Sequence, residues 1–170
     1  NWVRAECRAS QRGVGRSLLH HAAYVGDLRI FRALVAAGAD AERRRSVAWR
    51  PNGGVGGRGN APLHAAVMYG RGEIARFLLD DVRVDVDQPG EQGHTALHLA
   101  AKFNRPALVE MLLRRGARTD LLTRDEKTAR ELAAGKQDRA HAQQGDVLEL
   151  FDRYDAEART RAKGLPGAPL

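Results

Sequence analysis

The chain has 170 residues, of which 43% are hydrophobic and only 5% aromatic, and it carries a net charge of +7. That composition fits one elongated domain rich in Ala and Leu better than a β-sandwich or barrel. No apolar run approaches the ~20 residues that span a bilayer, and the single cysteine, Cys7, excludes an intramolecular disulfide and favours a reducing, intracellular setting.

Residues 1–12 hold Arg4, Arg8 and Arg12 four apart, one stripe on a helix, and suggest an N-terminal flank or capping helix. From residue 13 a pattern begins that returns along the chain. Ser17-Leu18-Leu19-His20 is followed by Ala22-Ala23, and then by Gly26, Ile30, Phe31, Leu34 and Val35. Ala61-Pro62-Leu63-His64 is followed by Ala65-Ala66, Gly70, Ile74, Phe77 and Leu78. Thr95-Ala96-Leu97-His98 is followed by Ala100-Ala101, Asn104, Leu108, Val109, Leu112 and Leu113. A degenerate fourth copy is Thr128-Ala129-Arg130-Glu131 with Ala133-Ala134.

Successive histidines lie 44 and 34 residues apart, and Glu131 follows His98 by 33. The apolar spacing within each unit predicts a short helix, a turn, a second helix and an extended loop. The hydroxyls of Ser17, Thr95 and Thr128 and the proline at 62 mark helix starts; Gly38 and Gly116 mark helix ends. Such a unit cannot bury its apolar face alone, so a period near 33 predicts an all-α solenoid. In the fourth unit, Val147, Leu148, Leu150, Phe151 and Tyr154 form the expected second helix, delayed by the polar stretch 136–144. Arg130 stands where the buried leucine sits elsewhere, which suits a terminal unit with a wet outer face.

These motifs resemble the ankyrin-repeat family over residues 13–154. The expected organisation is a flank (1–12), repeat one (13–42), an Arg/Gly-rich loop insertion (43–58), repeat two (59–88), repeat three (89–122), a degenerate capping repeat four (123–154) and a C-terminal extension and tail (155–170). Repeat two departs from the pattern: Ala61 lacks a capping hydroxyl, and Val82-Arg83 replace the terminal glycine.

The resemblance implies a monomeric, non-catalytic scaffold or adaptor that binds a protein or peptide on its concave side. That side is made of loop tips and the ends of first helices. The corresponding positions are Arg16, Tyr24, Arg58, Asn60, Met68, Tyr69, Gln92, His94, Lys102, Phe103, Arg124 and Lys127. Tyr24, Tyr69 and Phe103 line up as an aromatic stripe of residue types favoured in interface cores. Packing between neighbouring repeats accounts for the same rings equally well. The resemblance also gives His20, His64 and His98 a structural role, their rings bonding to loop backbone.

The positive charge is concentrated. Residues 1–16 sum to +3 and residues 43–58 to +5, leaving −1 for the remainder. An acidic partner fits this distribution. The alternative is electrostatic binding of nucleic acid or another polyanion through segments 4–16 and 43–58, which would weaken steeply with salt. Apart from Trp2 and Trp49, no stacking aromatics accompany the arginines, and no nucleic-acid module is recognisable.

Three chemical motifs fail on context, so no cofactor, metal or small-molecule ligand is expected. Gly54–Gly59 spells GxGxxG, but an arginine-rich loop precedes it instead of a strand. Asp85, Asp87 and Gly90 resemble a calcium loop whose closing Glu is replaced by Ala96. His94 and His98 are an i, i+4 pair without a third ligand.

Overall fold

The computed structural model describes residues 18–42, 59–135 and 144–162. Among them are eight α-helices and no strand. They pair as α1 (Leu18–Val25) with α2 (Leu28–Ala36), α3 (Pro62–Met68) with α4 (Gly72–Phe77), α5 (Ala96–Lys102) with α6 (Pro106–Arg114), and α7 (Ala129–Ala134) with α8 (Gln144–Ala162). The first helices stack in the order α1, α3, α5, α7, and the second helices in the order α2, α4, α6, α8. The result is an all-α solenoid of two helix layers.

Small residues let the layers approach. Ala23, Ala66 and Ala100 are fully buried in the first helices, beside Leu19, Leu63 and Leu97. The second helices contribute Phe31, Ile74, Leu78, Val109 and Leu112, and Val147 and Phe151 of α8 close the core. Phe31 of one unit meets Phe77 of the next edge to face, with centroids 6.2 Å apart. Arg32 lies over the Phe77 ring.

Three helix starts are satisfied by different devices. Asp27 accepts the backbone N–H groups of Arg29 and Ile30 to cap α2. Thr128 and Glu131 form a reciprocal capping box at α7. At α3, where Ala61 has no hydroxyl, His64 Nδ1 accepts the Ala61 N–H at 3.2 Å.

The one residue by which the His64–His98 spacing exceeds the 33 from His98 to Glu131 also finds its cause. The left-handed residue that ends the second helix is Gly38, 18 residues after His20, and Gly116, 18 residues after His98. In the second unit it is Arg83 (φ 60°), 19 residues after His64. The extra residue is absorbed by a π-type turn, Leu78–Val82, continuing α4. The Val84 N–H then reaches back to the Leu78 carbonyl.

Arg130, at the degenerate leucine position, is exposed and bridges α7 to α8 through Asp152 and Asp155. The segments 1–17, 43–58, 136–143 and 163–170 lie outside the described residues. They include the flank, Cys7, the basic insertion and most of the GxGxxG stretch.

Candidate functional site

The loop tips are tied to one another and to the helices behind them. His20 Nε2 donates to the Asn60 carbonyl at 2.7 Å, His64 Nε2 to the His94 carbonyl at 3.1 Å, and His98 Nε2 to the Leu121 carbonyl at 3.0 Å. Each ring therefore reaches from its own first helix to the loop leading into the next unit. His98 Nδ1 accepts the Thr95 N–H and hydroxyl at 3.2 and 2.8 Å. Two jobs, acceptor to its own cap and donor to the next loop, require a neutral imidazole protonated on Nε2. Burial accordingly pushes the His98 pKa below its ordinary 6.5, with the Leu121 hydrogen bond pulling the other way. Glu131 performs only the first job, and no further unit follows α8 among the described residues.

The tips also bond sideways. Asn60 Oδ1 accepts the Glu91 N–H, and the Gln92 carbonyl accepts the Arg124 N–H at 2.9 Å. Two expected partner contacts are corrected by this network. Asn60 and His94 are buried, and their side chains are committed to the loop frame; His94 Nδ1 bonds the Glu91 carbonyl. They hold the tips in shape instead of facing outward.

The other expected contacts divide by exposure. Gln92, Arg124 and Lys127 are exposed on the tips; Met68, Tyr69 and Lys102 are half-buried at helix ends. Tyr24 and Phe103 remain about two-fifths exposed. Tyr24 and Tyr69 meet edge to face at 4.6 Å, so these rings pack between units while one of them still presents a large open surface. Arg16 and Arg58 lie outside the described residues.

Sequence reasoning missed three contributors. Leu122 is 55% exposed beside Arg124, an apolar residue on an otherwise polar tip. Arg71 and Arg105 begin the second helices of units two and three, and each guanidinium covers the turn glycine of the preceding unit, Gly26 and Gly70. Arg71 Nε donates to the Tyr24 carbonyl at 3.1 Å, closing the orphan end of α1. The signal was available: neither position carries a side chain able to cap its own helix.

The His94 and His98 rings stand 6.1 Å apart, and among the described residues no three His, Cys, Asp or Glu side chains converge as a metal site. Asp85 accepts the Asp87 N–H, and Asp87 accepts the Arg118 N–H, so these carboxylates shape and join loops. No helix among the described residues is long and apolar enough to cross a membrane.

Comparison with known proteins agrees with this geometry. The family model for ankyrin repeats (3 copies) matches residues 19–125. The chain is 38% identical over 116 residues to the E3 ubiquitin-protein ligase hecd-1 of Caenorhabditis elegans, covering 64% of this chain and 4% of that protein. It is 32% identical over 106 residues to the NF-kappa-B inhibitor cactus of Drosophila melanogaster, covering 62% of this chain and 19% of that protein. It is 37% identical over 67 residues to the BTB/POZ domain and ankyrin repeat-containing protein NPR2 of Oryza sativa subsp. japonica, covering 39% and 11%. The chain thus spans a fifth or less of these relatives.

Proposed function

Because the chain belongs to the ankyrin-repeat family, whose repeats generally mediate protein–protein interaction, we propose that it is a non-catalytic scaffold or adaptor. Its partner would lie along the loop tips and the ends of the first helices. The observation that carries this reading is an aromatic ring at or next to the end of each first helix, Tyr24, Tyr69 and Phe103, with Tyr24 and Phe103 still substantially exposed. Aromatic side chains already ordered by packing lose little entropy on binding and offer large contact areas. Leu122 is a further exposed apolar residue on the loop tips, and Gln92, Arg124 and Lys127 are exposed tip residues whose side chains offer hydrogen-bond donors.

The tips carry both signs, with Asp125 and Glu126 beside Arg124 and Lys127. The ligand that fits is a protein segment with apolar anchors and some acidic residues. Relatives point the same way: cactus is named for inhibiting NF-kappa-B, an action on another protein. The ligase activity of hecd-1 does not transfer, since the match covers 4% of it.

The test is affinity capture from lysate at about 50 and about 200 mM salt, comparing the native chain with Phe103→Ala. A protein partner retained at the higher salt and lost in the variant, with thermal unfolding unchanged, is expected. Capture that ignores Phe103→Ala, or that yields only nucleic acid released by salt, would sink the proposal.

A further inference from the structure

Arg71 and Arg105 hold one place in successive units, seven residues after His64 and His98, at the turn from first to second helix. A Cβ on Gly26 would meet Arg71 Cδ and Nε at 2.7 Å, and one on Gly70 would meet Arg105 Cζ at 3.2 Å, so each guanidinium is laid flat on the unit before it. Ring and cation therefore alternate along this edge. Arg71 bonds the Tyr24 carbonyl, Tyr69 packs edge to face on Tyr24, Arg105 lies over Gly70, and Phe103 closes α5. Both arginines are exposed, and neither joins an ion pair among the described residues. Arg115, Arg118 and Arg130, by contrast, each hold a carboxylate. The surroundings of Arg71 and Arg105 leave charge uncancelled. At the three described turns, 24–29, 68–73 and 102–107, the cations are Arg29, Arg71, Lys102 and Arg105, and the acids are Asp27 and Glu73, a formal sum of +2. Asp27 is already spent on the N–H groups that begin α2. The described tips, 59–60, 91–94 and 124–127, sum to −1.

We propose, resting on the partner-binding role above, that this turn edge rather than the tips receives the acidic side chains of a protein segment, one carboxylate each on Arg71 and Arg105. A guanidinium held in place by packing presents a planar fork of N–H donors that matches a carboxylate. Neighbouring helices pack about 8–10 Å apart, a distance that an extended segment covers in about three residues. Acids at that spacing reach both arginines, and the apolar side chains between them meet the rings alongside. A nucleic-acid strand fits less well. Tyr24 and Tyr69 pack on each other, which takes up ring surface that stacked bases need.

The test is an NMR titration of the full chain with the blocked peptide acetyl-Glu-Phe-Val-Glu-amide, beside its Gln-Phe-Val-Gln counterpart. The Glu peptide should shift the backbone amides of Gly70 and Arg105. It should bind Arg105→Gln about threefold to fivefold more weakly, the loss suited to one exposed ion pair. Arg83→Gln removes the same charge from an exposed site elsewhere and should bind as the native chain does. Arg105→Lys keeps the charge without the fork and should fall between the native chain and Arg105→Gln. A loss as large with Lys as with Gln would assign the effect to the cover over Gly70 and overturn the proposal. Equal binding to Arg105→Gln, a larger loss at Arg124→Gln on the tip, or no binding of the Glu peptide would do the same. Equal affinity for the two peptides would also overturn it; if Phe103→Ala then weakened both, the partner-binding role would stand and only the placement of the acids would fall. Tighter binding of oligothymidylate, weakened by Arg105→Gln, would give the edge to nucleic acid instead.

Discussion

His98 and Leu121, 23 residues apart in sequence, are joined by a 3.0 Å hydrogen bond from Nε2 to the backbone carbonyl. The same ring accepts the N–H and hydroxyl of Thr95, so one buried side chain fixes both the start of α5 and the loop leading into the fourth unit. Replacing it with an aromatic of similar size isolates the polar contribution. His98→Phe keeps most of the volume but strands the Thr95 N–H and the Leu121 carbonyl. Leaving buried polar groups unpaired costs ~1–3 kcal/mol each, so a loss of about 2–4 kcal/mol is expected. Urea unfolding followed by far-ultraviolet circular dichroism measures it; a loss below about 0.5 kcal/mol would contradict the double role.

The same ring gives the fold a pH dependence whose sign follows from linkage. Burial lowers the His98 pKa from its ordinary 6.5, so the folded state holds the neutral imidazole. The unfolded chain takes up a proton more readily, and stability therefore rises with pH over this range. The contribution is complete above the unfolded value and is lost as pH falls from there through the depressed folded value. The urea midpoint should be lower at about pH 5.5 than at about pH 7.5, and His98→Phe should flatten the difference. A midpoint that rises on acidification would reverse the assignment.

Gly90 is needed for space, since its backbone φ of −97° is open to any residue. A Cβ there would stand 2.6 Å from Asn60 Oδ1 and 2.8 Å from the His64 ring. Both neighbours are buried and engaged in hydrogen bonds to the loop, so neither can swing away. Gly90→Ala should cost about 1–3 kcal/mol, in line with overpacking of a well-filled site. A melting temperature equal to that of the native chain would show that the tip yields more easily than this geometry allows.

The repeat frame was legible because it rests on periodic requirements. Leu97 must be buried, Thr95 must cap and His98 must bridge, and the same positions return from unit to unit at spacings of 44, 34 and 33 residues. What sequence reasoning could not supply was the orientation of tip side chains. Asn60 and Gln92 both sit on tips as polar residues, yet the first is buried and accepts the Glu91 N–H, while the second is exposed and bonds only through its carbonyl. That difference depends on the neighbouring unit, which lies more than 30 residues away. The stripe was half legible: both Tyr24 and Tyr69 fall at first-helix ends, four residues after His20 and five after His64, but the edge-to-face geometry that leaves Tyr24 open could not be read.

The 34-residue spacing between His64 and His98 offers a substitution of opposite sign to Gly90→Ala. The π-type turn leaves Arg83 in the left-handed region at φ 60°, a conformation that costs a side-chain-bearing residue roughly 1–2 kcal/mol and glycine almost nothing. Gly38 and Gly116 hold the corresponding places in units one and three. Arg83 is exposed, so removing its side chain opens no cavity. Against the relief stands the greater freedom glycine gives the unfolded chain, which offsets about 0.5–1 kcal/mol. Arg83→Gly should therefore stabilise the fold by up to about 1 kcal/mol, raising the urea midpoint without changing the slope of the transition. A lower midpoint would mean that Arg83 contributes through contacts that outweigh its backbone strain.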